Sequence, residues 1–135
     1  MRLKLCIELI NKDIGIIPVN YQYHISSWIY SRLSIADPEY SGWLHEKGYK
    51  EGFRSFKLFT FSNLMMKGKI IDTDRLQLLD RMGTLEISFL LEEGMGHFIS
   101  GLFKDTVLKI ADKRNTAHFI IKKEECLPEH MFTDT

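Results

Sequence analysis

The chain has 135 residues, 44% of them hydrophobic and 27% charged, and its formal net charge is zero. This length suits one domain with a proper core and is short for two. A neutral chain has no overall field that attracts nucleic acid, so an RNA site would depend on local basic clusters or on a partner. No apolar run approaches the roughly 18 residues that span a membrane. Cys6 and Cys126 are too few for a secreted disulfide framework, so we expect a cytoplasmic protein with no membrane partner.

The first half of the chain predicts a strand, a helix and a second, short helix. Residues 2–9 alternate apolar and polar side chains, as a half-buried strand does, whereas "NKDIGIIP" is typical of a turn and connector. A helix is expected to begin near Asn20, because apolar residues then recur at helical spacing. Asp37 can cap the short helix, with Pro38 at its first position and Gly48 just past its end. The inward-facing residues are expected to be Ile25, Trp28, Ile29, Leu33 and Ala36 on the first helix, and Tyr40, Trp43 and Leu44 on the second.

A second stripe on the first helix is polar and aromatic. It comprises Tyr23, Ser26, Ser27, Tyr30 and Ser34, also at helical spacing. It is interpreted either as a solvent-exposed face with two packed tyrosines or as a helix side that faces a functional site. Spacing alone favours the first interpretation.

The second half predicts mainly strands, with strong β-propensity in "FKLFTFSNLMM" and alternation in "TLEISFLL". "KGKIIDTDRLQLLDRMG" is part strand and part connector, "EEGMGHFISGLFKD" a short helix, and "DKRN" a turn between two strands. The order predicts an α+β fold: a single ferredoxin-like (split βαβ) domain over residues 1–127, with an antiparallel sheet, helices on one face and a tail at 128–135. The sheet strands are expected near residues 2–9, 57–63, 84–91 and 115–124.

No motif indicates a cofactor or a metal. The histidines are scattered, no C-x-x-C pair is present, and "EGMGHFISG" matches neither a phosphate-binding loop nor the dinucleotide fingerprint. No serine stands in a G-x-S-x-G elbow. We therefore expect no cofactor and no metal. The histidines are His24, His45, His97, His118 and His130.

Residues 42–62 interleave basic and aromatic side chains. Single-stranded RNA is bound by this combination, since charges meet phosphates and flat rings stack on bases. His45 lies where the short helix is expected to end, and a histidine that titrates near neutral pH can transfer a proton in phosphodiester cleavage. A solvated connector with a surface histidine is the alternative, which the pattern alone favours. The residues expected to bind RNA are Lys47, Tyr49, Lys50 and Arg54.

Residues 19–62 resemble the N-terminal part of the CRISPR-associated repeat-RNA endoribonucleases of the RAMP superfamily. The matching features are N-x-Q-Y followed by I-Y, then D-P-x-x-x-x-x-L-H, then K-L-F-T-F-S, in the family's order. The resemblance implies a metal-independent endoribonuclease that processes CRISPR repeat RNA. The ribose 2′-OH attacks the adjacent phosphate and leaves a 2′,3′-cyclic phosphate and a 5′-OH.

The resemblance also implies three catalytic residues. Tyr30 matches the tyrosine that closes the family's first helix, and His45 matches the histidine of the L-H motif, the general acid. Lys57 matches a lysine before the strand, which could stabilise the charged transition state. A tyrosine that acts as the base needs cations close by, because an unperturbed tyrosine has a pKa of about 10.

Family members usually carry a second domain of the same fold, whereas this chain matches only the first. The partners expected are therefore CRISPR repeat RNA, a C-terminal RAMP domain or other CRISPR effector subunits, and a second copy of the chain. Two alternatives stay open: a non-catalytic RNA-binding RAMP module, and a small ferredoxin-like regulatory or dimerisation domain. A measurement of RNA binding distinguishes the regulatory or dimerisation domain from the other two possibilities. The end-groups of the product distinguish the endoribonuclease from the non-catalytic RNA-binding module.

Overall fold

A computed structural model describes residues 1–13, 15–40, 59–90 and 92–128. In chain order these residues form β1 (Arg2–Leu9), β2 (Ile16–Pro18), α1 (Gln22–Ala36), β3 (Phe59–Phe61), β4 (Gly68–Ile71), β5 (Arg75–Leu78), β6 (Met82–Phe89), α2 (Glu92–Lys104), β7 (Val107–Ala111) and β8 (Thr116–Leu127). Among the described residues, no helix is both long and apolar enough to cross a bilayer.

The larger sheet has five strands in the order β3-β6-β1-β8-β7, and every neighbouring pair is antiparallel. The prediction of an α+β fold with an antiparallel sheet is confirmed. The expected strands are present, although β3 occupies only three residues of the range predicted for it and β8 continues to Leu127. The predicted hairpin around "DKRN" is formed by β7 and β8.

The strand β1 lies at the centre of this sheet, between β6 and β8. The alternation of apolar and polar residues along β1 explains its central position, because one face of the strand is fully apolar. Leu3, Leu5 and Ile7 have no exposed surface, whereas the residues between them are partly exposed. Burying apolar side chains of this size stabilises the fold by about 1.5–3 kcal/mol each.

The helices α1 and α2 pack against each other over the apolar face of the sheet. The indole Nε1 of Trp28 donates to the carbonyl oxygen of Val107 at 3.1 Å, which ties α1 to β7. The two helices approach each other closely at Gly101. A Cβ atom added there would lie 2.0 Å from the carbonyl oxygen of Arg32, so only glycine permits this contact.

A second sheet of three strands has the order β2-β5-β4. The prediction that residues 11–18 are only a turn and connector is therefore wrong, because Ile16–Pro18 pairs with Arg75–Leu78. A three-residue run that ends in proline carries little local signal for a strand, and its partner lies far away in sequence. The ambiguous stretch before β6 resolves into the hairpin β4–β5, whose turn places Asp72 and Thr73 at positive φ.

The start of the predicted short helix is confirmed within the described residues. Residues 38–40 are helical, and Asp37 Oδ1 accepts the backbone N–H of Tyr40 at 3.1 Å. This is an N-cap, with Pro38 at the first helical position as expected. Tyr40 is buried as predicted, whereas Ala36 is only partly buried on α1. Trp43, Leu44 and Gly48 lie outside the described residues.

Candidate active site

Of the three residues predicted to be catalytic, Tyr30 is the one that lies in the described part of the structure. The other residues of the predicted catalytic and RNA-binding sets lie in residues 41–58, outside the described ranges. Those residues are His45, Lys47, Tyr49, Lys50, Arg54 and Lys57. The described residues on either side of this segment, Tyr40 and Phe59, therefore define where it leaves and rejoins the described part of the fold.

Tyr30 lies within α1 and packs against β3. The expectation that it closes the first helix is wrong, because α1 continues to Ala36. Its ring centroid lies 5.1 Å from that of Phe59, at an interplanar angle of 69°. Burial raises the pKa of the Tyr30 phenol above the ordinary tyrosine value. The phenol is therefore neutral at physiological pH, and it is a hydrogen-bond donor and acceptor there rather than a base.

Phe59 connects Tyr30 to the core at one end of the sheet. It is almost fully buried and lies opposite Phe89 in the pairing of β3 with β6. Its ring is 6.2 Å from that of Phe89, which is in turn 5.6 Å from the ring of Phe98 on α2. We call Tyr30, Phe59, Phe89 and Phe98 the aromatic cluster.

Tyr40 is held at the same end of the sheet. A Cβ atom built on Gly94 of α2 would lie 2.9 Å from the hydroxyl oxygen of Tyr40 and 3.2 Å from Cδ1 of Phe89. The Tyr40 side chain and the aromatic cluster thus meet over one glycine. Both residues that flank 41–58 in sequence are therefore anchored beside the aromatic cluster that contains Tyr30.

Three of the other four residues of the polar stripe on α1 face solvent. Tyr23 has 72% of its surface exposed, and Ser27 and Ser34 are also exposed. For these positions the interpretation as a solvent-exposed face is confirmed, whereas Tyr30 is half-buried.

A groove elsewhere on the described surface does not have Tyr30 in its lining. It has a volume of about 1040 Å³ and lies between the turns around Asn20, Thr73 and Lys113. Its lining carries aspartates and basic side chains in equal number: Asp72, Asp74, Asp112, Arg75, Lys113 and Arg114. Within the described ranges, no cluster of three or more His, Cys, Asp or Glu side chains is placed to hold a metal ion.

Sequence reasoning missed one charged contact beside the site. His97 of α2 faces Asp37 and Glu93, each at 3.6 Å, and its ring packs on Tyr40. Glu93 and His97 are four residues apart on a helix, and this spacing is a local signal for the contact between these two residues. The contact between His97 and Asp37 depends on how α2 packs against the turn after α1.

Comparison with known proteins identifies the family of this chain. Residues 16–124 match the family model described as CRISPR-associated protein Cas6, N-terminal. The chain belongs to the Cas6 family. A curated relative from Methanocaldococcus jannaschii, CRISPR-associated endoribonuclease Cas6 1, is 31% identical over 128 residues. The match covers 95% of this chain and 46% of that relative, so the chain spans about half the length of the Cas6 protein it matches.

Solved structures of the Cas6 and RAMP groups have the same fold. A protein from a Cas6-related gene of Pyrococcus furiosus matches 96% of this chain and 48% of its own length, with a TM-score of 0.77 at 23% identity. A structure described as CRISPR associated protein Cas6 matches 95% and 48%, with a TM-score of 0.63 at 30% identity. A RAMP protein described as binding different RNA substrates matches 95% and 48%, with a TM-score of 0.74 at 20% identity.

Proposed function

We propose that this chain provides the catalytic half of a metal-independent endoribonuclease that processes CRISPR repeat RNA. The observation that carries the proposal is the shared position of Tyr30, Tyr40 and Phe59 at one end of the sheet. Family membership and 31% identity to a Cas6 endoribonuclease support it. The products are a 2′,3′-cyclic phosphate and a 5′-OH.

The distances along the chain agree with a site at this end of the sheet. Lys57 is two positions before Phe59 in sequence, and two residues of chain reach at most about 7 Å. His45 is five positions after Tyr40, which corresponds to at most about 18 Å of extended chain. Both lengths are compatible with side chains that meet near Tyr30, which packs directly on Phe59.

In the proposed reaction the RNA supplies its own nucleophile. The ribose 2′-oxygen attacks the adjacent phosphorus and loses its proton, while the bond between phosphorus and the 5′-oxygen breaks. His45 donates a proton to that leaving oxygen as the general acid. Lys57 stabilises the extra negative charge on the phosphorane-like transition state.

Tyr30 is assigned the role of orienting the RNA with a neutral phenol. Its raised pKa disfavours the ionised form that a general base requires. A hydrogen bond from its hydroxyl to the phosphate or the 2′-oxygen would align the attack, and water accepts the proton of the 2′-OH. Removing only this hydroxyl in Tyr30→Phe keeps the packing on Phe59 and should slow cleavage by about tenfold.

RNA binding is assigned to residues 42–62, with Lys47, Lys50 and Arg54 on phosphates and Tyr49 on an unstacked base.

We also propose that the sheet follows the ferredoxin-like, split βαβ arrangement. In that assignment β1, β3, β6 and β8 are the four core strands, and β7 is an added edge strand. The antiparallel order β3-β6-β1-β8 supports it.

The decisive experiment is single-turnover cleavage of a cognate repeat RNA in the presence of EDTA. The chain is assayed alone and with the remaining half of a Cas6 relative supplied in trans. We expect cleavage in the combined reaction, with cyclic phosphate and 5′-OH ends. His45→Ala should slow the chemical step by about 10²–10⁴-fold with little change in RNA affinity. A single 2′-deoxy substitution upstream of the cut should block cleavage and leave binding intact.

The matched control is His24→Ala, because His24 lies on α1 near the exposed Tyr23. It should cleave at the wild-type rate. Wild-type cleavage by His45→Ala would make His45 a surface residue, and a requirement for a divalent ion would refute the mechanism. Tight RNA binding with no cleavage would favour the RNA-binding RAMP module, and absence of RNA binding would favour the regulatory domain.

A further inference from the structure

His97 stands between two carboxylates on two different elements. Its Nε2 atom lies 3.6 Å from Oδ2 of Asp37, which follows α1, and 3.6 Å from Oε1 of Glu93 on its own helix. Its ring centroid lies 4.7 Å from that of Tyr40, tilted by 41°. About a quarter of the His97 side chain is exposed, so these contacts are partly shielded from water.

The geometry favours a proton on Nε2. Two carboxylate oxygens face this one nitrogen, and a bare lone pair there would repel both of them. A proton on Nε2 attracts both, and the attraction grows when the ring carries a positive charge. Histidine is the side chain that gains this charge near neutral pH.

Asp37 connects His97 to the backbone of the next helical turn. Its Oδ1 accepts the N–H of Tyr40 at 3.1 Å, while its Oδ2 faces His97. Because the carboxylate is planar and rigid, a charge that holds Oδ2 also fixes Oδ1 at the cap. Residues 38–40 are thereby attached to α2 through one carboxylate.

We propose that His97 is a positioning residue whose protonated ring joins Asp37 to Glu93 and holds the turn 38–40 against α2. This turn leads in sequence into residues 41–58, which contain His45. The inference therefore rests on the proposed function for its catalytic consequence, although the attachment itself does not. His97 would set the position from which the catalytic segment begins, more firmly at low pH than at high pH.

Within the described part of the chain, the titratable groups that face His97 are Asp37 and Tyr40 from the turn after α1 and Glu93 from α2. Burial, and secondly the charge of Glu93, raise the pKa of the Tyr40 phenol. Tyr40 therefore stays neutral where histidine titrates, and it contributes a packing surface rather than a charge. The proposal therefore assigns any pH response of this contact to protonation of the imidazole.

The test is hydrogen exchange at the Tyr40 amide, measured by NMR on the whole chain. This amide donates to Asp37, so its protection factor reports directly on the cap. Between about pH 8 and pH 5.5 we expect wild-type protection to rise by about two- to fivefold, the effect of a partly exposed ion pair. His97→Gln should show no such rise. Asp37→Asn keeps an oxygen for the cap and removes the charge, so its rise should be smaller than that of the wild type.

His24→Gln is the matched control and should keep the full wild-type response. The inference is overturned if the protection of Tyr40 depends on pH equally in the wild type and in His97→Gln. Should His97→Gln fail to fold, Asp37→Asn provides the comparison, because it removes the carboxylate charge through which His97 acts on the cap and leaves the imidazole in place.

A second readout separates this inference from the proposed function. In single-turnover cleavage, His97→Gln should lower the rate by about two- to fivefold at the acidic end of the range and leave RNA affinity unchanged. If the wild-type chain cleaves no RNA under any condition, the proposed function fails, and the exchange of Tyr40 alone then decides the role of His97. Normal cleavage with equal rates for both proteins at acidic pH would refute the positioning role.

Discussion

At the scale of single residues, the most informative contact outside the site is that between Arg32 and Asp105. Among the described residues, Arg32 is the charged residue that is buried. Its Nη1 donates to the Asp105 carbonyl oxygen at 2.9 Å and lies 3.3 Å from the carboxylate Oδ2. Asp105 Oδ1 accepts the N–H of Val107 at 2.9 Å. One aspartate therefore joins α1 to the connection between α2 and β7.

The pKa of Asp105 is lowered, chiefly by the hydrogen bond from the Val107 N–H; burial opposes this as the second-largest effect, and the hydrogen bond and charge of Arg32 lower the pKa further. A carboxylate with a lowered folded-state pKa stabilises the protein above its unfolded-state pKa of about 3.9. That contribution is lost as the pH falls through the folded-state value. Because half of the Asp105 side chain is exposed, solvent screening keeps the effect modest.

The prediction concerns Asp105→Asn, which keeps an oxygen for Val107 and removes the charge. We expect a lower Tm than the wild type at neutral pH, because Arg32 loses its ionic partner in a buried position. The difference should shrink as the pH falls below about 4, where the carboxylate becomes protonated in the unfolded state, and it should vanish below the lowered folded-state pKa. Thermal unfolding followed by circular dichroism across this range measures it. Asp13→Asn, in the exposed turn after β1, is the control, and a difference in Tm that stayed constant down to low pH would contradict the prediction.

At the scale of secondary-structure elements, two glycines of α2 differ in their surroundings. One lies against α1, and the other faces open space. Gly101 touches the backbone of Arg32, where an added Cβ would lie 2.0 Å from the carbonyl oxygen. A Cβ on Gly96 would meet nothing within 4 Å. The two positions have the same helical backbone and differ in what lies beside them.

We predict opposite effects of alanine at these positions. Gly101→Ala should lower the free energy of unfolding by about 1–3 kcal/mol, because the helices must move apart. Gly96→Ala should raise it by about 0.5–1 kcal/mol, since alanine favours the helix and costs no contact. Urea unfolding measures both values under the same conditions. Equal effects of the two substitutions would show that helix propensity, rather than the approach of the helices, decides stability here.

At the scale of the whole molecule, the net charge bears on the proposed binding of RNA. Its formal net charge is zero, so long-range attraction to phosphate is absent. The chain also spans 46% of the length of its relative from Methanocaldococcus jannaschii. Under the proposed function, binding by this chain alone depends on the basic side chains of residues 42–62.

A salt titration of RNA binding tests this limit. With phosphate contacts from Lys47, Lys50, Arg54 and Lys57 only, the slope of log K against log salt should be no steeper than about −3. Lys50→Gln should reduce the slope by about 0.7, and Lys12→Gln, in the turn after β1, should leave it unchanged. Filter binding of a single-stranded repeat RNA gives both numbers. An unchanged slope for Lys50→Gln would place the RNA on another surface.

The sequence alone predicted the elements whose signal is local. The alternation in β1 requires only its own residues, the turn between β7 and β8 lies within "DKRN", and the Asp37 cap is predicted from the adjacent pair Asp37 and Pro38. Such features were recovered because periodicity and capping act over a few residues. Tyr30 as a candidate site residue came from the resemblance to a family, because its spacing favoured a solvent-exposed face.

Only the tertiary structure decided the features that join residues distant in sequence. The pairing of β2 with β5, the packing of Tyr30 on Phe59 and the contact of Gly101 with Arg32 all connect separate elements. The same holds for His97, whose contact with Asp37 forms only when α2 packs against the turn after α1. A pattern along the chain carries no information about such contacts, because they are set by how whole helices and strands bury their apolar faces together.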